Sequence, residues 1–210
     1  MESGKNQLEP NTYSTKEREQ VRDAVREKYA AVSSSAKGMF KYTTGREGAL
    51  VLGYDEGILS GIPEDLLNSF CGVGNPFSIG EITPGSDILD IGCGTGLDLI
   101  VARKITGSEG RVCGIDITFE MIDKARSVFD SLGIDNIETI HVTSETLPFE
   151  DNGFDLVISN GAINLSPAKD EFFEEMYRVL RPGGKIQFAD IVLEKELPSH
   201  LADSLEAWSQ

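Results

Sequence analysis

The ten residues DILDIGCGTG at positions 87–96 constrain this chain more than any other stretch of it. Asp87, Ile88, Leu89, Asp90 and Ile91 form a short aliphatic and β-branched run, the pattern of a buried parallel strand. The run breaks at Gly92, Gly94 and Gly96, spaced one residue apart. Glycines in such a turn let the backbone approach a bound ligand where a Cβ would collide. Residues 97–104 then read as a helix, so the loop lies at a helix N-terminus with free N–H groups.

Two cofactor classes use a strand, a glycine loop and a helix in this order. The dinucleotide fingerprint sets its glycines at relative positions one, three and six. Here the sixth position is Leu97 and the third glycine falls at the fifth, which disfavours a nicotinamide oxidoreductase. Gly92-x-Gly94-x-Gly96 with Asp90 two residues ahead resembles motif I of the class I S-adenosylmethionine (SAM) methyltransferases. That resemblance implies SAM as cofactor, with Asp90, Gly92, Cys93, Gly94, Thr95 and Gly96 forming its binding loop.

The chain around the loop has 210 residues, enough for one domain with a proper core. A net charge of −16 opposes a phosphate backbone, so a nucleic-acid substrate is disfavoured. No apolar run is long enough to span a bilayer, and the N-terminus MESGKNQLEP is not a signal peptide. Three cysteines, an odd number, argue against a disulfide framework and for a cytoplasmic setting.

Residues 1–13 are polar and aperiodic, the composition of a disordered tail. Ser14 and Glu17 have capping-box spacing for a helix to about Val32, with Val21, Ala24, Val25, Tyr29 and Val32 on one face. Residues 33–38 read as a loop and 45–61 as an irregular stretch. A short helix opens at Pro63, Glu64 and Asp65, and residues 72–76 form a turn-rich connector. Residues 14–80 are therefore expected to be a helical N-terminal cap and 81–210 the SAM-binding core.

From Ser86 onward short apolar runs alternate with amphipathic helices, which predicts an α/β fold with a doubly wound, mostly parallel sheet. Further strands are expected at 111–115, 137–142, 154–159 and 185–192. One helix presents Ile122, Ala125, Phe129 and Leu132 and stops at Gly133; the next presents Phe172, Met176 and Leu180. Arg181, Pro182, Gly183 and Gly184 read as a turn, and Leu201, Leu205 and Trp208 as a last amphipathic piece. The class I pattern ends in a sixth and seventh strand paired as an antiparallel hairpin, which this sequence is too short to contain; truncation is the favoured explanation.

Asp116 closes the second predicted strand beside the glycine loop. An acid there can accept both ribose hydroxyls of a nucleoside cofactor, or cap the following helix. Ile117 and Thr118 come next, and Met121 either packs on adenine or joins the core. The class I resemblance implies an acid at Thr143 to hold the adenine amino group. Threonine departs from it, leaving the Ser144 N–H, with Glu145 nearby, to read the base. Glu145 has a solvated charge as its alternative. Asn160 ends the fourth strand, placed near the transferred methyl or forming an Asx turn. His141 and His200 are isolated, and the sequence assigns no catalytic residue, metal ligand or oligomeric state.

The stretches GYDEGILSGIPEDLL, GVGNP, DILDIGCGTGLD, SNGAINLSPAKDEFF and VLRPGGK together resemble the arsenite methyltransferase family, from about Tyr29 to Asp190. The resemblance implies methylation of trivalent arsenic held by soft thiolates. It also implies a cysteine in the connector, where Val73 stands, and another after the fourth strand, where Gly161 stands. A third family cysteine belongs beyond residue 210, and an upstream pair falls where Ser33, Ser34 and Ser35 are. The expected function is SAM-dependent methylation of a small molecule, with the arsenic site degraded. The alternatives are arsenite methylation using external thiols and a non-catalytic SAM-binding protein.

Overall fold

The structure, a computed structural model, describes residues 13–194. Helix α1 (Thr15–Ser34) is followed by three short helices, α2 (Gly45–Val51), α3 (Glu56–Ser60) and α4 (Glu64–Leu67). Then β1 (Ile88–Ile91), α5 (Leu97–Thr106), β2 (Val112–Asp116), α6 (Phe119–Leu132) and β3 (Ile137–His141) alternate. The chain continues through β4 (Phe154–Asn160), α7 (Lys169–Val179) and β5 (Leu180–Ala189). All strand pairs are parallel, in the order β3-β2-β1-β4-β5. After β3 the chain returns to the other side of β1, and ligands of open α/β sheets bind at this reversal, outside the carboxyl ends of the strands.

Strand β1 is buried at all four positions, which is why its sequence is a continuous apolar run broken only by Asp90. Its side chains alternate between two cores. Ile88 joins Leu99, Ile100, Ile122 and Phe129 with Leu59, Leu66 and Leu67 of the N-terminal helices. Leu89 and Ile91 join Phe154, Phe172 and Met176 on the α7 face.

The capping box at Ser14 is present, and α1 extends two residues past Val32 into the expected loop. Lys124 of α6 anchors the far end of α1, with its Nζ donating to the Ser33 carbonyl at 2.7 Å and to Ser69 Oγ at 3.0 Å. Residues 45–61 are not irregular: α2 and α3 occupy most of them, and their apolar residues Ala49, Tyr54 and Leu59 are buried against the core. Their helices are under two turns long, so no period was visible to reveal them.

Leu180 does not lie on the α7 face but starts β5, and the strand ends at Ala189 rather than Val192. Leu180 pairs with Phe154 and Lys185 with Leu156, so residues 181–184 bulge out of the ladder. Arg181 on this bulge bridges Asp155 at 2.7 Å and Asp87 at 2.6 Å, tying the starts of β1, β4 and β5 together. Leu132, expected on the buried face of α6, is exposed. The tail at 1–12 and the segment with Leu201, Leu205 and Trp208 lie outside the described residues. No helix among the described residues is long and apolar enough to cross a membrane.

Candidate active site

A cavity opens at the carboxyl ends of β1, β2 and β4, as the strand reversal requires. The glycine loop forms its floor, with the Gly92 and Cys93 N–H groups both donating to the Ile115 carbonyl at 2.9 Å. The glycines have different physical reasons to be there. A Cβ on Gly96 would meet Phe129 Cζ at 2.5 Å, so this glycine lets α6 pack against the loop. A Cβ on Gly94, at φ +53°, would meet only Met121 Sδ at 3.9 Å and would otherwise project into open space.

Asp116 is buried on the cavity wall, and each of its oxygens is already oriented. Oδ2 accepts from the Gly94 N–H at 2.9 Å and Oδ1 from the Thr118 N–H at 2.8 Å. The helix-cap alternative is thus half right, because Thr118 is the N-cap residue and Asp116 braces it. Each oxygen keeps a lone pair for a further donor. Burial raises the Asp116 carboxyl above its ordinary value, against the two backbone donors. Ile117, Thr118 and Met121 also line the cavity, and Thr118 Oγ1 is buried without a partner. His141 is exposed and bonds the Ile117 carbonyl through Nε2 at 3.0 Å.

Asn160 does not make an Asx turn. Its Oδ1 accepts from the Val73 and Gly74 N–H groups at 2.8 and 3.1 Å, clamping the connector to the end of β4. Its Nδ2 shares two N–H groups among three acceptors, the Gly74 carbonyl at 2.9 Å, Tyr54 Oη at 3.0 Å and Asp98 Oδ2 at 3.1 Å. Tyr54 Oη in turn donates to Asp98 Oδ1 at 2.6 Å. Asp98 lines the cavity and is 7% exposed, and burial pushes its carboxyl up to about 6. Asp90 is more deeply buried and lies under the loop, off the cavity wall. Burial and then the charges of Asp98 and Asp116 raise its carboxyl well above the ordinary range.

Ser144 and Glu145 line the cavity beyond β3, whereas Thr143 is exposed and does not. The chain bends at 143–145 after β3, and Thr143 turns outward there while Ser144 and Glu145 turn in. Nor is Glu145 a solvated charge: it accepts from Ser166 Oγ at 2.8 Å and is ion-paired with Arg22 of α1. Arg22, Val25 and Tyr29 complete this side of the cavity. Sequence reasoning assigned no role to Arg22, Tyr54 or Asp98. Tyr54 and Asp98 stand within two of the quoted motifs, but Arg22 lies in an ordinary charged helix and had no local signal.

The remaining cavity wall holds Cys71, Gly72, Gly161 and Ala162. Burial, and next the Asp116 charge, push the Cys71 thiol up to about 12, so it is neutral at physiological pH. Val73 and Gly161 face each other, since a Cβ on Gly161 would lie 3.5 Å from both Val73 methyls. Cys93 and Cys113 are buried in the loop and in β2, and all three cysteines are unpaired.

A sequence profile described as a methyltransferase domain matches residues 82–210. The arsenite methyltransferase of Halobacterium salinarum is 34% identical over 194 residues, 86% of this chain and 49% of that protein. A demethylmenaquinone methyltransferase of Bacillus cereus is 34% identical over 119 residues, 57% of this chain and 48% of that one. Among solved structures, an arsenic(III) S-adenosylmethionine methyltransferase from Chlamydomonas reinhardtii superimposes with a TM-score of 0.63 at 39% identity. That match covers 69% of this chain and 51% of the other. The chain spans about half the length of these relatives. With the glycine loop, the sheet order and the profile in agreement, this chain belongs to the methyltransferase-domain family and has the class I SAM-dependent methyltransferase fold.

Proposed function

We propose that this protein binds SAM in the cavity and transfers its methyl group to a small-molecule acceptor. The observation that carries the reading is the Asp116 carboxylate, fixed by Gly94 and Thr118, beside the open space over Gly94. The charge of the wall fits as well: Asp98, Asp116 and Glu145 face Arg22 as the one cationic lining residue among those described. A sulfonium and an ammonium suit such a wall, and the partnerless Thr118 hydroxyl offers a donor and an acceptor. SAM, when bound, supplies a methyl already activated by its sulfonium.

The work left to the protein is to bind, orient and exclude water. Asp116 would hold the ribose hydroxyls, the Ser144 N–H and Glu145 the base, and the loop at 92–96 the rest of the cofactor. The Asn160–Tyr54–Asp98 network fixes the connector, which forms one side of the acceptor space. We assign residues 14–80 to a cap over the cavity and 81–210 to the core, and a cytoplasmic setting to the three unpaired cysteines.

Arsenite is proposed to be a poor acceptor. Soft trivalent arsenic calls for converging thiolates, and the two positions that the resemblance assigns to cysteine are Val73 and Gly161. Their mutual contact fits a pair of ligands, but neither side chain donates an electron pair. Cys71 is a neutral thiol two residues away along the connector. The test is methyl transfer from radiolabelled SAM to arsenite with excess thiol, in wild type and in Val73→Cys/Gly161→Cys. Little product from wild type and a gain in the double variant are expected. Robust wild-type turnover that survives Cys71→Ser would contradict the proposal.

A further inference from the structure

Glu145 is 7% exposed on the cavity wall, and a carboxylate so buried requires hydrogen-bond partners. One of its two partners lies outside the profile-matched region. The Arg22 guanidinium reaches across from α1 to pair with one oxygen, while Ser166 Oγ donates to the other at 2.8 Å. Arg22 is itself largely buried, its side chain 12% exposed, and its other ion pair is with Glu19 at 3.3 Å. Its Nε is buried and has no partner, so the guanidinium is turned toward the cavity and Glu145 at the expense of its own hydrogen bonding.

Two anchors on opposite oxygens fix the plane of a carboxylate and leave one lone pair on each oxygen. An ionised carboxylate accepts hydrogen bonds only, so what it selects from a purine is an amino group. A purine with a keto group at the same place presents an acceptor to an acceptor.

We infer that Arg22 is a positioning residue for base selection: it holds the plane of the Glu145 carboxylate with its oxygens toward the cavity, and so makes the N-terminal helix decide for a 6-amino over a 6-keto purine. The inference rests on the cofactor reading given above. Without the guanidinium, Ser166 alone holds Glu145, the carboxylate can turn away from the base, and the preference would shrink.

The experiment measures dissociation constants by calorimetry for S-adenosylhomocysteine and S-inosylhomocysteine, which differ at that position of the base. Wild type is expected to favour the adenosyl compound by roughly ten- to a hundredfold, the range of one hydrogen bond to a buried charge. Arg22→Met keeps the apolar stem and should cut that ratio several-fold, with Arg22→Lys in between because it restores charge without the planar fork. Glu145→Gln, whose amide can donate, should shrink the ratio too. Melting curves with each ligand confirm that the variants are folded. If Arg22→Met weakens both ligands by the same factor, or neither, α1 is only a wall and the inference is overturned. If wild type binds neither compound, the cofactor reading falls and takes this inference with it.

Discussion

At the scale of single residues, the glycine loop separates binding from folding. Gly94 faces the cavity and Gly96 faces Phe129, so the same substitution has different consequences two residues apart. Gly94→Val is expected to abolish S-adenosylhomocysteine binding while the protein still folds, with strain from φ +53° lowering its stability modestly. Gly96→Val collides with the α6 helix and is expected to destabilise the fold itself by several kcal/mol. Thermal melts and calorimetry on the two variants check both statements; equal loss of stability in each would refute the division. Asp116→Ala removes an acceptor already oriented by two backbone N–H groups, and should cost about 2–4 kcal/mol of cofactor affinity. Unchanged affinity in that variant would remove Asp116 from the site.

At the scale of elements, local signals found what local chemistry determines. The α1 capping box, the buried β1 run and the Gly133 stop of α6 are all short-range patterns, and each is where the sequence placed it. The helices at 45–60 were missed because five to seven residues carry less than two periods, and tertiary burial makes them helical. The site divides in the same way. Asp116 and the glycine loop, which share the cavity, could be placed together from the sequence because one strand–helix–strand unit, β1 to β2, fixes their spacing. Arg22 and Glu145 are separated by 123 residues, and no spacing in the chain announces that pair. This pair and the Lys124 anchor hold α1 over the cavity through side-chain contacts, which a bound ligand can tighten. Hydrogen exchange in α1 is expected to slow when S-adenosylhomocysteine binds, and exchange identical in both states would argue for a fixed wall.

At the scale of the whole molecule, the buried carboxylates link stability to pH. Asp98 has its carboxyl raised to about 6 from 3.8, chiefly by burial. The folded protein therefore holds that proton more tightly than the unfolded chain does. This contribution stabilises fully below 3.8 and is lost as pH rises through about 6. The groups facing it are Tyr54 after α2, Asn160 at the end of β4, and Asp90 on β1, whose own carboxyl Asp98 helps to raise. Without ligand, Asp98→Asn is expected to gain on wild type between about pH 4 and pH 7, by on the order of 2–3 kcal/mol. Denaturation of both proteins across that range is the measurement, and a pH-independent difference would assign the titration elsewhere. The same geography bears on where this protein can be cut. The methyltransferase-domain profile starts at residue 82, yet Arg22, Tyr29, Tyr54 and Cys71 all precede it. A chain begun at that boundary would keep every glycine of the loop and every strand. It would also strip Leu59, Leu66 and Leu67 from the core, and would take Tyr54, Val73 and Gly74 from Asn160 and Arg22 from Glu145. The portion that the profile matches is therefore smaller than the portion that builds the cavity, and a trimmed protein would carry the family's signature around an open trough.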